Sequence, residues 1–178
     1  ELAATYANEI GDYIWSRHTE FRTDLWRVEE AIHEAMTTEG GPVVLADLGD
    51  NPGGGTAADG TSILWGLMDL GADGAVVSTI CDPEVVALAF EAGEGANIET
   101  MLGAKTDERH GYPIPIKATV KRLSNGDFVY DGPMDRGVHD TLGRTAVLGV
   151  QGRYGHGVDV IVCERRVQSL HTAILRSQ

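Results

Sequence analysis

The sequence contains few of the residues on which disulfide-rich or metal-stabilised folds depend. Only two of its 178 residues are cysteines, Cys81 and Cys163, and they do not have the spacing of a zinc knuckle. Both lie in apolar, strand-like runs, so we expect them to be small buried residues of a protein kept in a reducing compartment. A chain of this length buries about 70% of its unfolded surface and needs no disulfide or metal to fold.

Lysine is also scarce, and the overall charge is strongly negative. The chain has three lysines among 14 basic residues, against 27 acidic residues, which gives a net charge of −13. Binding to nucleic acids or anionic membranes depends on clustered basic residues, so this composition argues against both partners. The sequence lacks an apolar run of about 20 residues that would cross a bilayer, and no secretory signal is visible. We therefore expect a cytoplasmic protein.

Recognisable catalytic patterns are missing as well. The six histidines are scattered, and they include neither an H-E-x-x-H sequence nor an i, i+4 pair. His156 and Asp159 are two potential ligands close in sequence, but such isolated pairs are common. Thr61 and Ser62 have no histidine nearby in sequence that would activate them as nucleophiles. We therefore predict no catalytic residue and no metal ligand in this chain.

The most distinctive stretch is the glycine-rich segment 47–62, DLGDNPGGGTAADGTS. The apolar run 42–46 precedes it and the amphipathic run 63–68 follows it, which predicts a strand, a loop and a helix. Three consecutive glycines at 53–55 are costly to order unless the backbone needs positive φ or approaches another group closely. Before a helix N-terminus, that group is often an anion held by free N–H groups.

Two interpretations of this loop stay open. The spacing from Gly55 to Ser62 is that of a P-loop, but Thr61 stands where the phosphate-binding lysine belongs, which excludes a nucleoside triphosphatase. The loop either binds an anion through a backbone nest or is only a tight connection. Asp50 and Asn51, which begin the loop, either form hydrogen bonds with a substrate or initiate a turn.

The order of patterns along the chain predicts the fold class. Amphipathic helices are predicted over 1–21 and 28–37. Buried strands are predicted over 42–47 and 75–81, each followed by a helix, the second of which Asp82 caps. From residue 97, alternating patterns predict antiparallel strands, with a hairpin turn at 125–126 and a short helix from about residue 170. We predict an α/β fold: a parallel βαβα half fused to an antiparallel β-rich half, with N-terminal helices.

The segment 43–64, VVLADLGDNPGGGTAADGTSIL, resembles the signature of the C-terminal domain of the microcystinase C (MlrC) family of metallopeptidase-like proteins. Other stretches are similar to the family in the same order along the chain: IWSRHTEF at 14–21, VEEA at 28–31, DPEVV at 82–86, FEAGEGA at 90–96, LGAK at 102–105 and RRVQ at 165–168. The resemblance implies that residues 1–40 are helices linking to an N-terminal domain that lies outside this sequence. Residues 41–178 would then be the C-terminal-like α/β domain, shortened at its C-terminus.

The resemblance also implies where a site would lie. In the family, the zinc ligands and the catalytic acid are expected mainly in the N-terminal domain, so we expect no cofactor in this chain and zinc in the other domain. The positions that carry over are the loop and the segment 165–168. Together with the backbone nest, they give the candidate substrate- or anion-binding residues Asp50, Asn51, Gly53, Gly54, Gly55, Thr56, Arg165 and Gln168.

The resemblance therefore implies a C-terminal accessory domain of a zinc-dependent peptidase or amide hydrolase, with the glycine loop beside the active site. Its partners would be the N-terminal domain of the same chain and a small peptide or amide substrate; the family is best known for cleaving linearised microcystin-type peptides. The alternative is a non-catalytic binding or oligomerisation module, such as a homodimer, whose glycine loop packs against a partner subunit. Catalysis by this domain alone is disfavoured, because no nucleophile–base or metal set is visible.

Overall fold

The computed structural model describes residues 1–178 and begins with two helices. Helix α1 spans Leu2–Ser16 and helix α2 spans Val28–Thr37. Every residue of α1 is exposed, whereas α2 buries Ile32 and packs against helix α3, Ser62–Leu70. The predicted N-terminal helices are therefore present.

A five-stranded mixed sheet forms the centre of the domain. Its strands are β1 (Ala75–Cys81), β2 (Asn97–Leu102), β3 (Ile114–Ser124), β6 (Thr145–Gln151) and β7 (Gly157–Cys163), in the order β1-β7-β6-β3-β2. Only β1 and β7 pair in parallel, and the other neighbours are antiparallel. Two short strands, β4 (Asp127–Val129) and β5 (His139–Thr141), form a second antiparallel sheet. The predicted α/β class with an antiparallel β-rich part is confirmed.

The two faces of the main sheet are covered to different extents. Helix α3 and helix α4 (Pro83–Ala92) cover one face, where Leu64, Val85, Val120 and Leu148 belong to one buried cluster. The small β4–β5 sheet and the C-terminal helix α5 (Ala173–Ser177) cover the end of the other face. Burying two faces explains why β7 is apolar almost throughout instead of alternating.

The helix boundaries follow local signals. The side chain of Asp82 caps α4 by accepting a hydrogen bond from the backbone N–H of Val85 at 3.2 Å, and Pro83 occupies the first turn. Gly71 ends α3 in the left-handed conformation, with φ of +69°. The start of α4 agrees with the prediction that Asp82 caps it.

The predicted strand over 42–47 is wrong. The segment has no regular structure, and its Val44 side chain is 83% exposed. A strand needs a partner along its backbone, and no strand of this chain lies beside the segment. The parallel part of the sheet is therefore the single pair β1–β7, which joins strands distant in sequence rather than consecutive βα units.

The predicted hairpin turn at Asn125-Gly126 is also wrong. Gly126 takes positive φ, at +72°, but the strands on either side of the two residues belong to different sheets. The two residues connect β3 to the small sheet, and the Gly126 carbonyl oxygen accepts a hydrogen bond from the backbone N–H of Leu142 at 2.9 Å.

Candidate functional site

The glycine loop begins with two side chains that accept hydrogen bonds from the backbone just after them. Asp47 Oδ1 accepts from the N–H groups of Gly49 at 2.9 Å and Asp50 at 3.2 Å. Asn51 Oδ1 accepts from the N–H of Gly53 at 3.0 Å and thereby begins a short 3-10 turn over Pro52–Gly54. These local bonds are typical of Asx turns and explain why Asp and Asn begin this loop.

Asp50 closes the loop over a longer distance. Its Oδ1 accepts a hydrogen bond from the backbone N–H of Ala58 at 2.8 Å, and its Oδ2 accepts from Gly60 at 2.6 Å. Both carboxylate oxygens therefore hold loop residues eight and ten positions further along the chain. The structure gives Asp50 a role in positioning the loop, and contact of its side chain with a substrate stays a prediction.

The N–H groups of the three consecutive glycines are all engaged within the loop. That of Gly53 donates to Asn51 Oδ1, that of Gly54 donates to the Asn51 carbonyl oxygen at 2.8 Å, and that of Gly55 donates to the Pro52 carbonyl oxygen at 3.0 Å. In this conformation they are not free donors, so the geometry does not support the predicted backbone nest. Of the three, only Gly55 takes positive φ, at +92°. Binding by other atoms of these residues stays a prediction.

The structure brings together two of the predicted site residues, Gly53 and Gln168, which are distant in sequence. A Cβ atom built on Gly53 would overlap the side-chain amide of Gln168 and would lie 2.6 Å from its Nε2. Gly53 is thus needed where the segment after β7 passes over the loop. Arg165 has a different place: its side chain is exposed, and its backbone N–H donates to the Leu142 carbonyl oxygen at 2.9 Å.

Thr56 has the one buried polar side-chain atom of the loop that lacks a partner. Its Oγ1 is inaccessible and forms no hydrogen bond, and Ser78 Oγ in β1 is the other such atom in the chain. An unsatisfied buried hydroxyl is unfavourable by about 1–3 kcal/mol.

The segment 104–112 forms a second wall beside the loop. Buried Asp59 accepts hydrogen bonds from the backbone N–H groups of Lys105 and Thr106, each at 3.0 Å. The Thr61 hydroxyl donates to the Tyr112 carbonyl oxygen at 2.8 Å. Although both residues lie just before helix α3, neither side chain caps the helix, because both bind the neighbouring segment instead.

A cavity of about 530 Å³ lies where the loop begins, between α2, the segment 43–50 and the start of α3. Arg109 and His110 line it beside Asp47 and Asp50, although sequence reasoning did not select either residue. His110 Nδ1 lies 3.1 Å from Asp107 Oδ1, and a hydrogen bond from the backbone N–H of Arg109 lowers the pKa of Asp107. The only signal in the sequence is the charged run 107–110, which no spacing rule connects with the glycine loop.

The chain does not form a site suited to zinc. No group of three or more histidine, cysteine, aspartate or glutamate side chains is arranged to hold a metal ion. The acidic residues at the loop are committed to backbone N–H groups, as shown for Asp50 and Asp59. We also find no helix long and apolar enough to cross a membrane.

Comparisons with known proteins agree on one family. The model of the family described as "MlrC C-terminus" matches residues 45–178. The chain is 32% identical over 127 residues to Microcystinase C from Sphingomonas sp, covering 71% of this chain and 23% of that protein. It is also similar, with a TM-score of 0.84 and 26% identity, to a crystal structure described as a "putative metallopeptidase" from Mesorhizobium sp. BNC1, over 95% of this chain and 33% of that one. The chain thus spans about a quarter to a third of these relatives.

Proposed function

Because the chain belongs to the MlrC C-terminus family, we propose that it is the C-terminal accessory domain of a zinc-dependent peptidase or amide hydrolase. Family membership and the similarity to a metallopeptidase-like structure support an accessory domain of the peptidase type. The finer parts of the proposal are that the glycine loop borders the active site, that zinc lies in another domain, and that the substrate is a small peptide or amide.

The observation that carries the proposal is a large exposed apolar surface. Helix α1 presents Leu2, Tyr6, Ile10 and Tyr13 at steps of three and four residues, and each side chain is at least half exposed. Trp26, Val43, Val44 and Leu48 are exposed as well, in the segments that lead towards the loop. Soluble monomers rarely leave so many large apolar side chains in contact with water, so this surface is suited to packing against another domain.

The position of the loop beside this surface supports the proposal that the loop contacts a substrate. The exposed segment 43–48 runs directly into the loop, and both line the cavity of about 530 Å³ with Arg109 and His110. A domain that covers the apolar surface would therefore close this cavity on its open side. The amide side chains of Asn51 and Gln168 are suited to hydrogen bonding with the peptide groups of a substrate.

Zinc would have to come from residues outside this chain, because the described residues form no suitable ligand set. When bound in the other domain, zinc would supply a Lewis acid and an activated water for amide hydrolysis. The residues of this chain would orient the substrate and exclude water from the domain boundary.

The proposal is tested by measuring zinc content and peptide hydrolysis for two proteins. One is the chain alone, and the other is a longer polypeptide in which the proposed N-terminal domain precedes this chain. We expect only the longer polypeptide to bind zinc and cleave. In it, Tyr6→Glu and Ile10→Glu should together lower hydrolysis at least about tenfold by weakening docking, whereas Met134→Glu should not. All three side chains are 55–59% exposed, so the chain alone should keep its stability.

Two results would contradict the proposal. Stoichiometric zinc or hydrolysis by the chain alone would place the chemistry in this domain. A stable dimer of the chain that the α1 substitutions dissociate would assign the apolar surface to a second copy and favour the oligomerisation module.

A further inference from the structure

The two cysteines of the chain lie side by side at the ends of neighbouring strands. Cys81 is the last residue of β1 and Cys163 is the last residue of β7, and the two are register partners in the parallel pair. Neighbouring strands are about 4.8 Å apart, while the Cα atoms of a disulfide are usually 4.4–6.8 Å apart. The backbone therefore places the two residues within the range in which a disulfide can form.

The two thiols differ in their access to solvent. Cys163 is 1% exposed, and its thiol donates to the Arg165 carbonyl oxygen at 3.2 Å. Cys81 is only half-buried and lines a cavity of about 460 Å³ together with Lys105 and Arg166. A small polar reagent can thus reach Cys81 through the cavity, whereas Cys163 is almost fully buried and does not line the cavity.

The local electrostatics favour thiolate formation at the accessible cysteine. Hydrogen bonding with Cys163 holds the pKa of the Cys81 thiol below its ordinary value, and Arg166 contributes in the same direction against burial and the nearby Asp59 and Asp82. Hydrogen bonding with Cys81, together with burial, raises the pKa of the Cys163 thiol. The thiolate is the reactive form of cysteine, so Cys81 is the expected site of attack.

Lys105 lines the same cavity as Cys81, but its ammonium group is already paired with two carboxylates. Its Nζ donates to Asp82 Oδ1 at 2.9 Å and to Glu84 Oε2 at 2.7 Å. Burial by itself lowers the pKa of Lys105, but the hydrogen bonds to Glu84 and Asp82 outweigh that effect and raise it. Lys105 is therefore paired with two carboxylates at the cavity wall, and Arg166 is the basic residue that favours the Cys81 thiolate.

We propose that Cys81 and Cys163 form a dithiol that hydroperoxides oxidise to an intrachain disulfide. In the first step the Cys81 thiolate attacks one peroxide oxygen, the O–O bond breaks, and the products are a Cys81 sulfenic acid and an alkoxide or hydroxide that takes up a proton. In the second step the Cys163 sulfur attacks the Cys81 sulfur, the S–O bond breaks, and the sulfenic oxygen leaves as water with the Cys163 proton. Two thiols are oxidised and one peroxide is reduced.

The disulfide would bind β1 to β7 at the point where the chain leaves the sheet. Glu164 and Arg165, whose carbonyl oxygens accept from the two thiols, begin the segment that carries Gln168 to the glycine loop. Oxidation removes both thiol donors, so it changes the hydrogen bonding of this segment. The Cys81–Cys163 pair is therefore a modification site coupled by short contacts to the loop.

The experiment uses hydrogen peroxide on the reduced chain, followed by alkylation in denaturant and mass spectrometry. We expect both thiols to disappear together, with a loss of two hydrogens and no intermolecular product. In Cys163→Ser, a sulfenic acid should be trapped on Cys81 by a dione reagent. In Cys81→Ser, Cys163 should react at least about tenfold more slowly than Cys81 does in Cys163→Ser, because Cys163 is 1% exposed whereas Cys81 opens onto the cavity.

Other results would overturn the proposal. One is that both thiols stay open to alkylation at peroxide doses that oxidise a free thiol peptide. Another is that Cys163 in Cys81→Ser reacts as fast as Cys81 in Cys163→Ser. The circular dichroism of each serine variant shows whether it is folded, and a poorly folded serine variant is replaced by the corresponding alanine variant in the same comparison.

Discussion

The carboxylate of Asp50 offers a direct test of how the glycine loop is held together. It accepts two hydrogen bonds from backbone N–H groups, those of Ala58 at 2.8 Å and Gly60 at 2.6 Å. Ala58 is buried, so its N–H group has little access to water once its acceptor is removed. Asp47 is a matched control, because it also accepts two backbone hydrogen bonds but is exposed and reaches only two and three residues along the chain.

The expected magnitudes follow from these contacts. A hydrogen bond to a charged group contributes about 1.5–3 kcal/mol, and the lower end applies to the half-buried Asp50, so Asp50→Ala should lower the free energy of unfolding by roughly 3 kcal/mol. Asp50→Asn retains one acceptor oxygen and should lower it by roughly half as much. Asp47→Ala changes only an exposed turn and should lower it by about 0.5 kcal/mol.

Equilibrium unfolding in urea, followed by circular dichroism, measures these differences. The midpoints should shift in the order Asp50→Ala, Asp50→Asn, Asp47→Ala, with unchanged slopes if the native and unfolded states keep their compactness. If Asp50→Ala loses less than about 1 kcal/mol, or no more than Asp47→Ala, the two loop-closing hydrogen bonds do not stabilise the fold as argued.

Three further predictions concern single positions. A Cβ at Gly126, where φ is +72°, would overlap a backbone carbonyl oxygen, whereas Gly137, with φ of +84°, has open space around it; Gly126→Ala should therefore lose about 1–3 kcal/mol more than Gly137→Ala in thermal unfolding. Gly53→Ala should destabilise the chain by displacing Gln168, and by roughly 0.5–1 kcal/mol less in a Gln168→Ala background, as a double-mutant cycle measures. A hydrogen bond from the Arg144 side chain lowers the pKa of Glu164 from its ordinary 4.5. The ionised Glu164 therefore stabilises the fold above that pH, and this stabilisation is lost as the pH falls through the lowered pKa. Glu164→Gln should flatten this loss in acid unfolding.

Each of these predictions has a contradicting outcome. Equal losses in Gly126→Ala and Gly137→Ala would mean that the overlap is relieved without cost. A zero coupling energy between positions 53 and 168 would mean that the two residues do not constrain each other. An acid-unfolding profile that is the same with and without the Glu164 carboxylate would show that its pairing does not favour the folded state.

Local signals in the sequence predict those parts of the fold whose cause is local. Asp82 with Pro83 marks the start of α4, and Gly71 marks the end of α3, because capping depends on residues within one turn. The apolar run 42–47 reads as a strand for the same local reasons. Whether it pairs depends on a neighbouring backbone, and the pattern of one segment contains no information about that neighbour.

The candidate site shows the same limit. The loop and the segment 165–168 were both selected, and the structure brings Gly53 and Gln168 together, whereas the side chain of Arg165 is exposed. Arg109 and His110 were missed because the fold brings them to the loop from far along the chain. The hydrogen bonds of Asp50 with residues eight and ten positions away were missed too. In the sequence, an aspartate that begins a turn cannot be distinguished from one that closes a loop.

The order of strands in the main sheet has a consequence for folding kinetics. β1 is an edge strand with one neighbour, β7, which lies about 80 residues later in the chain and is also paired with β6. During synthesis β1 therefore leaves the ribosome long before its only partner, while β6 and β7 can pair with each other as soon as both are made. Non-local pairing of this kind slows folding because a long loop has to close first. We expect the β6–β7 pair to form early and the docking of β1 to limit the rate.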